Sequence, residues 1–257
     1  MSMNKGIAIS RQALSKVPEV TLLFWIIKIL ATTLGETGGD AVSMSLKLGY
    51  LVGSAIFSVI FIVAVFTQVT AKEFHPFLYW ATIVATTTVG TTLADFADRS
   101  LGIGYAGGAT ILFALLMASL FVWHRTLGSV AVNTVNSPKV ETFYWVTIMF
   151  SQTLGTALGD WTADTAGLGY TGGMVVFSVM LTIIALAYYR TDISRTVIFW
   201  AAFILTRPLG AVVGDFLDKP VSQGGLELSR YSASAILLVL MLLCIFMFKQ
   251  KPAEQAH

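Results

Sequence analysis

Four aspartates recur at one position of a repeated pattern, and their chemistry is the clearest functional signal in the chain. Each lies five residues after a glycine, and that glycine follows a tryptophan by ten residues. The four sets are Trp25, Gly35 and Asp40; Trp80, Gly90 and Asp95; Trp145, Gly155 and Asp160; and Trp200, Gly210 and Asp215. Carboxylates are hard oxygen ligands of the kind that Mg²⁺, Ca²⁺ and Mn²⁺ prefer. The pattern therefore indicates a cation site or path built from four repeats.

Further oxygen side chains share a helix face with these aspartates. At about 100° per residue, the positions two before and one after each glycine lie within about 40° of the aspartate. The predicted metal ligands are Glu36, Asp40, Asp95, Asp98, Asp160, Asp164, Asp215, Thr88, Thr91, Thr153 and Thr156, with Glu36, Asp40, Asp95 and Asp160 as principal ligands. Two alternatives stay open: the threonines could bond to their own helix, and the aspartates could be wet helix ends.

Two basic residues lie inside apolar stretches, where an unpaired charge is costly, roughly 2.5–3.5 kcal/mol on insertion scales. These are Lys28 and Arg207, and Arg207 belongs to a fourth repeat that has Pro208 in place of threonine. We expect Arg207 to pair with Asp215 and to act as an internal surrogate cation. In a competing interpretation, Lys28 and Arg207 bind a carboxylate while Trp25, Trp80, Trp145 and Trp200 form the pocket wall. The tryptophans could also be interface anchors.

The elements that carry these residues are membrane-spanning helices. Hydrophobic residues make up 56% of the 257 residues and charged residues 12%, about half the charged fraction of a soluble domain. Eight apolar stretches are long enough, or nearly so, to span a bilayer, and they do not alternate as barrel strands would. We predict an all-α polytopic membrane protein with eight transmembrane helices in one domain, residues 1–257. Four parallel two-helix repeats cover about 20–70, 77–124, 142–189 and 195–249.

The glycines and the spacing of the repeats predict how the helices assemble. A small residue follows each glycine by four positions (Gly39, Ala94, Gly159, Gly214), which forms a stripe that lets helices approach closely. We therefore expect the odd helices to cluster centrally and the even helices to lie outside. The tryptophans are 55, 65 and 55 residues apart, which favours two pseudo-symmetric halves. Each even helix should open near a tyrosine: Tyr50, Tyr105, Tyr170 or Tyr231.

Four tandem two-span repeats, each with a characteristic tryptophan, resemble a family of bacterial integral membrane proteins known as uncharacterised membrane-anchored repeat proteins. The resemblance covers about residues 20–248 and implies a bacterial inner-membrane location. Ten basic residues fall in the segments on one side of the membrane and four on the other, so the positive-inside rule places both termini in the cytoplasm.

Several function classes are disfavoured. The net charge of +2 is too small to suggest nucleic acid, and the single cysteine, Cys244, excludes an intrachain disulfide. No nucleophile–base pair, P-loop or HExxH motif is present, so we expect neither an enzyme nor a bound cofactor. The leading hypothesis is a secondary transporter of a divalent cation, with Mn²⁺ favoured and protons as the coupling ion. Alternatives are a transporter of a small organic anion or neutral solute, and a membrane scaffold. Lipid is a partner, and an oligomer is compatible with the sequence.

Overall fold

The computed structural model describes residues 14–254, which form a bundle of eight α-helices. The helices are α1 (Leu22–Asp40), α2 (Gly49–Thr70), α3 (Pro76–Asp95), α4 (Tyr105–Leu127), α5 (Pro138–Asp160), α6 (Gly169–Arg190), α7 (Arg195–Asp218) and α8 (Arg230–Met247). A π-helical turn extends α1, α3 and α5, at Ala41–Ser45, Phe96–Ser100 and Trp161–Thr165. Short 3₁₀ turns cover Val132–Thr134 and Val221–Gln223. The predicted all-α fold is confirmed, and each even helix opens within one residue of its expected tyrosine.

Local sequence explains where the helices begin. Proline opens α3 and α5, where its missing N–H breaks no helical hydrogen bond. A glycine with positive φ lies fourteen residues after the repeat glycine in all four repeats: Gly49, Gly104, Gly169 and Gly224, with φ of 75°, 74°, 63° and 86°. Only glycine adopts this backbone conformation without strain, so the connection between the two helices of a repeat depends on it.

Seven of these helices are long and apolar enough to cross a membrane, and the chain is a multi-pass membrane protein. The exception, within residues 14–254, is α5, which carries Lys139, Glu141, Gln152 and Asp160. Three of these four residues are buried inside the bundle. Because α5 is surrounded by protein, its polar residues need not face lipid, and its hydropathy can be lower than that of the outer helices.

The odd helices form a central ring in which α1 contacts α3 and α7, and α5 contacts the same two helices. Each even helix packs on the odd helix of the following repeat: α2 on α3, α4 on α5, and α6 on α7. The last helix, α8, packs on α1 and closes the circle. The repeats are therefore interlocked, because each one supplies the outer cover of the next.

The repeat glycines are the contact points of this ring. A Cβ on Gly35 would overlap with Thr87, and a Cβ on Gly90 would lie 3.0 Å from the backbone of Gln152. A Cβ on Gly155 would overlap with the side chain of Arg207, and a Cβ on Gly210 would overlap with Thr32. Each glycine thus faces the residue three positions before the glycine of the next repeat. The expected central clustering through the glycines is confirmed.

An aromatic cluster fills the opposite end of the ring from the aspartates, and we call the two ends the tryptophan end and the aspartate end. Trp80, Trp145 and Trp200 are at most 5% exposed. The hydroxyls of Tyr79 and Tyr144 are 2.7 Å apart at the centre of this cluster. The two described ends of the chain also meet here, because residues 17–19 pair with residues 251–253 through two backbone hydrogen bonds of 2.8 Å. The tryptophan end is therefore closed by packed aromatic rings.

Candidate functional site

The repeated aspartates come together at the aspartate end of the central ring. Asp40, Asp95 and Asp160 are the last residues of α1, α3 and α5, and Asp215 lies in the last turn of α7. None is more than 3% exposed. Cyclic packing of the odd helices brings the same repeat position of all four to one level. We call Asp40, Asp95, Asp160 and Asp215 the aspartate ring.

Two basic side chains bridge the ring in pairs. Arg99 contacts Asp95 through Nε at 3.0 Å and Asp160 through Nη2 at 3.2 Å. Lys219 Nζ lies 2.5 Å from Asp40 Oδ2 and 3.0 Å from Asp215 Oδ1. Both residues lie nine positions after the repeat glycine, in the second and fourth repeats, where the first and third have Met44 and Asp164. The ring is therefore divided into two halves, one formed by the second and third repeats and the other by the fourth and first.

Lys219 stays charged in this setting. Burial by itself lowers the pKa of Lys219, but the carboxylates of Asp215, Asp40 and Asp218 outweigh burial and raise that pKa well above its usual value. Asp218 is fully buried at its side chain and accepts a hydrogen bond from Arg230 Nε at 2.9 Å. One carboxylate oxygen from each of Asp40, Asp215 and Asp218 lies within 4.8 Å of the other two, a spacing that one metal ion can bridge.

Two other predicted acids lie away from the ring. Asp98 is buried against Gly108 of α4, and neither of its carboxylate oxygens has a hydrogen-bond partner. Asp164 is exposed and accepts a hydrogen bond of 3.3 Å from the Tyr105 hydroxyl. The expected ligand set is therefore divided, with Asp98 on the flank of the central ring and Asp164 at the surface.

A second polar layer lies between the ring and the tryptophan end, centred on Arg207. Its side chain is fully buried, and Nη2 contacts Glu36 Oε2 at 2.8 Å, Thr91 Oγ1 at 2.6 Å and Thr156 Oγ1 at 2.5 Å. These three partners follow the repeat glycine by one position on α1, α3 and α5. The fourth helix has Ala211 at that position, which leaves the centre to the guanidinium.

The expected pairing of Arg207 with Asp215 is wrong. Eight residues of helix, about 12 Å, separate the two, and Asp215 instead pairs with Lys219. Arg207 lies over Gly155 of the neighbouring helix, so its side chain extends into the centre of the ring, where it meets Glu36. Partners on adjacent helices at the same level are nearer than any acid on its own helix.

The remaining predicted threonines bond to their own helices. Thr88 Oγ1 donates to the Val84 carbonyl at 2.8 Å, and Thr153 Oγ1 donates to the Met149 carbonyl at 2.9 Å. Such back-bonding satisfies the hydroxyl without a ligand. It is the alternative that the sequence left open. Thr91 makes a similar bond to the Thr87 carbonyl at 3.1 Å, but Thr91 and Thr156 also accept hydrogen bonds from Arg207.

Lys28 lies deeper, on the tryptophan side of Arg207. It is fully buried, with Nζ 3.4 Å from Thr206 Oγ1 and 4.0 Å from the centre of the Phe203 ring. Within residues 14–254, no carboxylate forms an ion pair with its ammonium. A cavity of about 440 Å³ extends along α1, α6 and α7 to Thr206, and Trp25 is the one repeat tryptophan that lines it. Trp80, Trp145 and Trp200 belong instead to the aromatic cluster.

The buried charges of this half of the protein do not balance. Seven carboxylates are buried here: Glu36, Asp40, Asp95, Asp98, Asp160, Asp215 and Asp218. Five basic side chains lie among or beside them. Lys219 and Arg207 are buried, Arg99 and Arg230 are partly exposed, and Lys28 is buried on the tryptophan side of Arg207. Counted by formal charge, the seven acids exceed these five basic side chains by two. Buried carboxylates are costly unless they are paired, protonated or bound to metal.

Sequence reasoning misses the residues that neutralise the ring. It places Lys219 and Arg99 in loops, and it omits Arg230 and Asp218 from the ligand set. One signal is present: Asp95 and Arg99, like Asp215 and Lys219, are four residues apart, the spacing at which opposite charges meet on a helix. Arg230 carries no such signal, because it reaches Asp218 from the beginning of α8.

Comparison with known protein families matches the four repeats seen in the fold. A model described as a Repeat of Unknown Function (DUF347) matches residues 23–74, 78–129, 143–194 and 198–250. No curated protein and no solved structure matches the chain. Because the four matched segments cover most of the sequence and follow the helix pairs, this chain belongs to the DUF347 repeat family.

Proposed function

We propose that this protein is a secondary transporter of a hard divalent cation, with Mn²⁺ as the favoured ion, and that the aspartate ring lies on the ion's path. The observation that carries the proposal is the formal excess of two negative charges between the seven buried carboxylates and the five basic side chains that lie among or beside them. One divalent cation restores neutrality there. The oxygen ligands suit Mn²⁺, Mg²⁺ or Ca²⁺ rather than a soft metal.

Proton coupling follows from the same count. Two protons on the carboxylates neutralise the interior as well as one divalent ion does, and they compete for the same oxygens. Exchange of one divalent metal ion for two protons therefore keeps the buried charge balanced in both the metal-bound and the protonated state. Arg207 and its Glu36 partner lie between the ring and the closed tryptophan end, where they form the next barrier along the axis.

We place the protein in the bacterial inner membrane, with both termini in the cytoplasm and the aspartate ring facing outward. Support comes from the distribution of basic residues and from the shared end at which residues 17–19 and 251–253 pair. In this orientation the ring meets ions from outside, and the aromatic cluster closes the cytoplasmic side.

The test is Mn²⁺ flux into liposomes that contain the purified protein, followed with a metal-sensitive dye inside the vesicles. Asp40→Asn should reduce the flux about tenfold or more, because it removes a ring carboxylate. The matched control is Asp164→Asn, which changes an exposed acid at the same end and should leave flux near wild type. Equal flux in both variants, or no flux in the wild-type protein, would contradict the proposal.

A second candidate, transport of a small organic anion or neutral solute, is favoured by one observation. Lys28 has no carboxylate partner within residues 14–254, and its hydroxyl partner Thr206 lines the cavity of about 440 Å³. Lys28 itself does not line the cavity, so a ligand carboxylate there would act on the ammonium through Thr206. Thermal stabilisation of the purified protein by organic acids, lost in Lys28→Met and absent with Mn²⁺, would favour this function over cation transport.

A further inference from the structure

Two groups of three carboxylates occupy equivalent places in the two halves of the ring. Each group takes two acids from an even-numbered repeat and one from the repeat that follows in the circle. The groups are Asp215, Asp218 and Asp40, and Asp95, Asp98 and Asp160. Lys219 bridges Asp215 and Asp40 in the first group, where Arg230 also pairs with Asp218 at 2.9 Å and lies 3.8 Å from Asp40. Arg99 bridges Asp95 and Asp160 in the second group. The two halves thus share a plan but differ in the cation.

The first group has the geometry of a metal site. Its three carboxylates each bring an oxygen within 4.8 Å of the others. Asp218 also has an unused ligand, because its Oδ1 is buried without a hydrogen-bond partner and its side chain is fully buried. Three carboxylates with added waters can supply the roughly six oxygens that a hard divalent cation needs.

The second group lacks this geometry. Asp98 lies against Gly108 of α4 instead of joining Asp95 and Asp160. Among the described residues, Asp40, Asp215 and Asp218 are the set of acids whose oxygens converge closely enough to share one ion. The half of the ring with Asp95, Asp98 and Asp160 therefore has three acids, but their carboxylate oxygens do not converge on one point.

The two bridging cations also differ in how firmly they hold their acids. Arg99 uses two separate nitrogens, one for each aspartate, on a rigid planar group. Lys219 presents a single ammonium to Asp40 and Asp215, on a flexible stem. Its side chain is the more buried of the two, at 9% exposed against 31% for Arg99, so the difference lies in the number of contacting nitrogens and not in access to water. A metal ion can displace Lys219 more readily than it can displace Arg99.

We propose that Asp40, Asp215 and Asp218 form the divalent-cation site, that Lys219 occupies this site when no metal is bound, and that Arg99 keeps the equivalent half permanently closed. This proposal rests on the function proposed above and assigns its binding step to one half of the ring. Lys219 then acts as a tethered competitor, which lets the site empty without leaving Asp40 and Asp215 unpaired, while Asp218 keeps its pairing with Arg230.

The test measures Mn²⁺ binding to the purified full-length protein in detergent, from the loss of the free-ion electron paramagnetic resonance signal. Two charge-conserving variants exchange the bridging cations. Lys219→Arg should weaken Mn²⁺ binding about tenfold or more, whereas Arg99→Lys should leave it within about threefold of wild type. Lys219→Met removes the competitor and should tighten binding about tenfold. Asp218→Asn should weaken binding, and Asp98→Asn is its matched control.

Equal effects of the two exchanges, unchanged binding in Lys219→Met, or no Mn²⁺ binding in any protein would overturn the assignment. If Lys219→Met does not fold, Lys219→Arg and Arg99→Lys still test the assignment, because both variants keep every charge. Failure of the site and failure of the function are distinguishable. If the wild-type protein transports Mn²⁺ but Lys219→Arg and Arg99→Lys bind it equally well, the transporter proposal stands and this site is rejected. If Mn²⁺ binding follows the expected pattern but the wild-type protein shows no flux, the site stands and transport is rejected.

Discussion

Arg207 offers the sharpest test of the buried polar layer, because its partners are known atom by atom. Arg207→Met removes an ion pair of 2.8 Å with Glu36 and two hydrogen bonds, to Thr91 and Thr156. The glutamate is only 3% exposed, so it would be left as an uncompensated buried charge. Breaking one side of such a pair costs about 3–5 kcal/mol. We expect Arg207→Met to lower the free energy of unfolding by that amount.

The assay is unfolding of the purified protein in mixed micelles with increasing dodecyl sulfate, followed by tryptophan fluorescence. Glu36→Gln should also destabilise the protein, because it leaves the guanidinium without its countercharge. The double variant should cost less than the sum of the two single changes, with a coupling of about 1–3 kcal/mol for residues in direct contact.

Arg190→Met is the matched control, because Arg190 is exposed at the end of α6. A surface change of this kind should stay within about 0.5 kcal/mol of wild type. If Arg207→Met costs no more than Arg190→Met, or if the coupling with Glu36 is near zero, the guanidinium is solvated. In that case the description of Arg207 as a buried ion-pair partner of Glu36 is wrong.

The other predictions concern packing, topology and pH. Gly155→Leu should prevent folding, because a Cβ there already overlaps with the side chain of Arg207. Gly38→Leu is the control, because a Cβ on Gly38 meets nothing within 4 Å. This control variant should still give a monodisperse, helical protein in size-exclusion chromatography. In a Cys244→Ser background, Glu254→Cys should react with a membrane-impermeant maleimide only from the cytoplasmic side. Ser222→Cys should react only from outside. The reverse labelling pattern would mean that the proposed orientation in the membrane is wrong. Mn²⁺ binding should weaken as pH falls, because the carboxylates bind metal only when deprotonated, and binding that is constant from pH 8 to about pH 5 would argue against carboxylate ligands.

Much of the architecture is predictable because it depends on periodicity along single helices. A glycine and a second small residue four positions apart lie on one face of any α-helix, so their recurrence in the sequence is enough to identify the contact surface of the odd helices. The same argument brings the four aspartates to one level, since equivalent positions of packed repeats must coincide. Burial of the less hydropathic α5 also follows, because its polar face repeats the polar face of α1 and α3.

The pairing of charges is not predictable in the same way. Helix position alone suggests that Arg207 pairs with Asp215, but it pairs with Glu36 on α1 because Gly155 leaves room for its side chain in the centre of the ring. Arg230 reaches Asp218 only because its helix begins beside the last turn of α7. Such contacts depend on the rotation and separation of neighbouring helices, which local spacing does not specify.

By itself, then, the sequence determined the eight helices, the glycine contacts and the recurrence of carboxylates at one end, because each is a property of one helix repeated four times. Only the tertiary structure decided that each even helix covers the next repeat, that α8 closes the circle on α1, and that Lys219 and Arg99 divide the ring into unequal halves. The physical reason is that electrostatic partners are chosen by distance in space. A few ångströms between helices, set by glycine contacts, determine which carboxylates pair with a basic side chain and which do not.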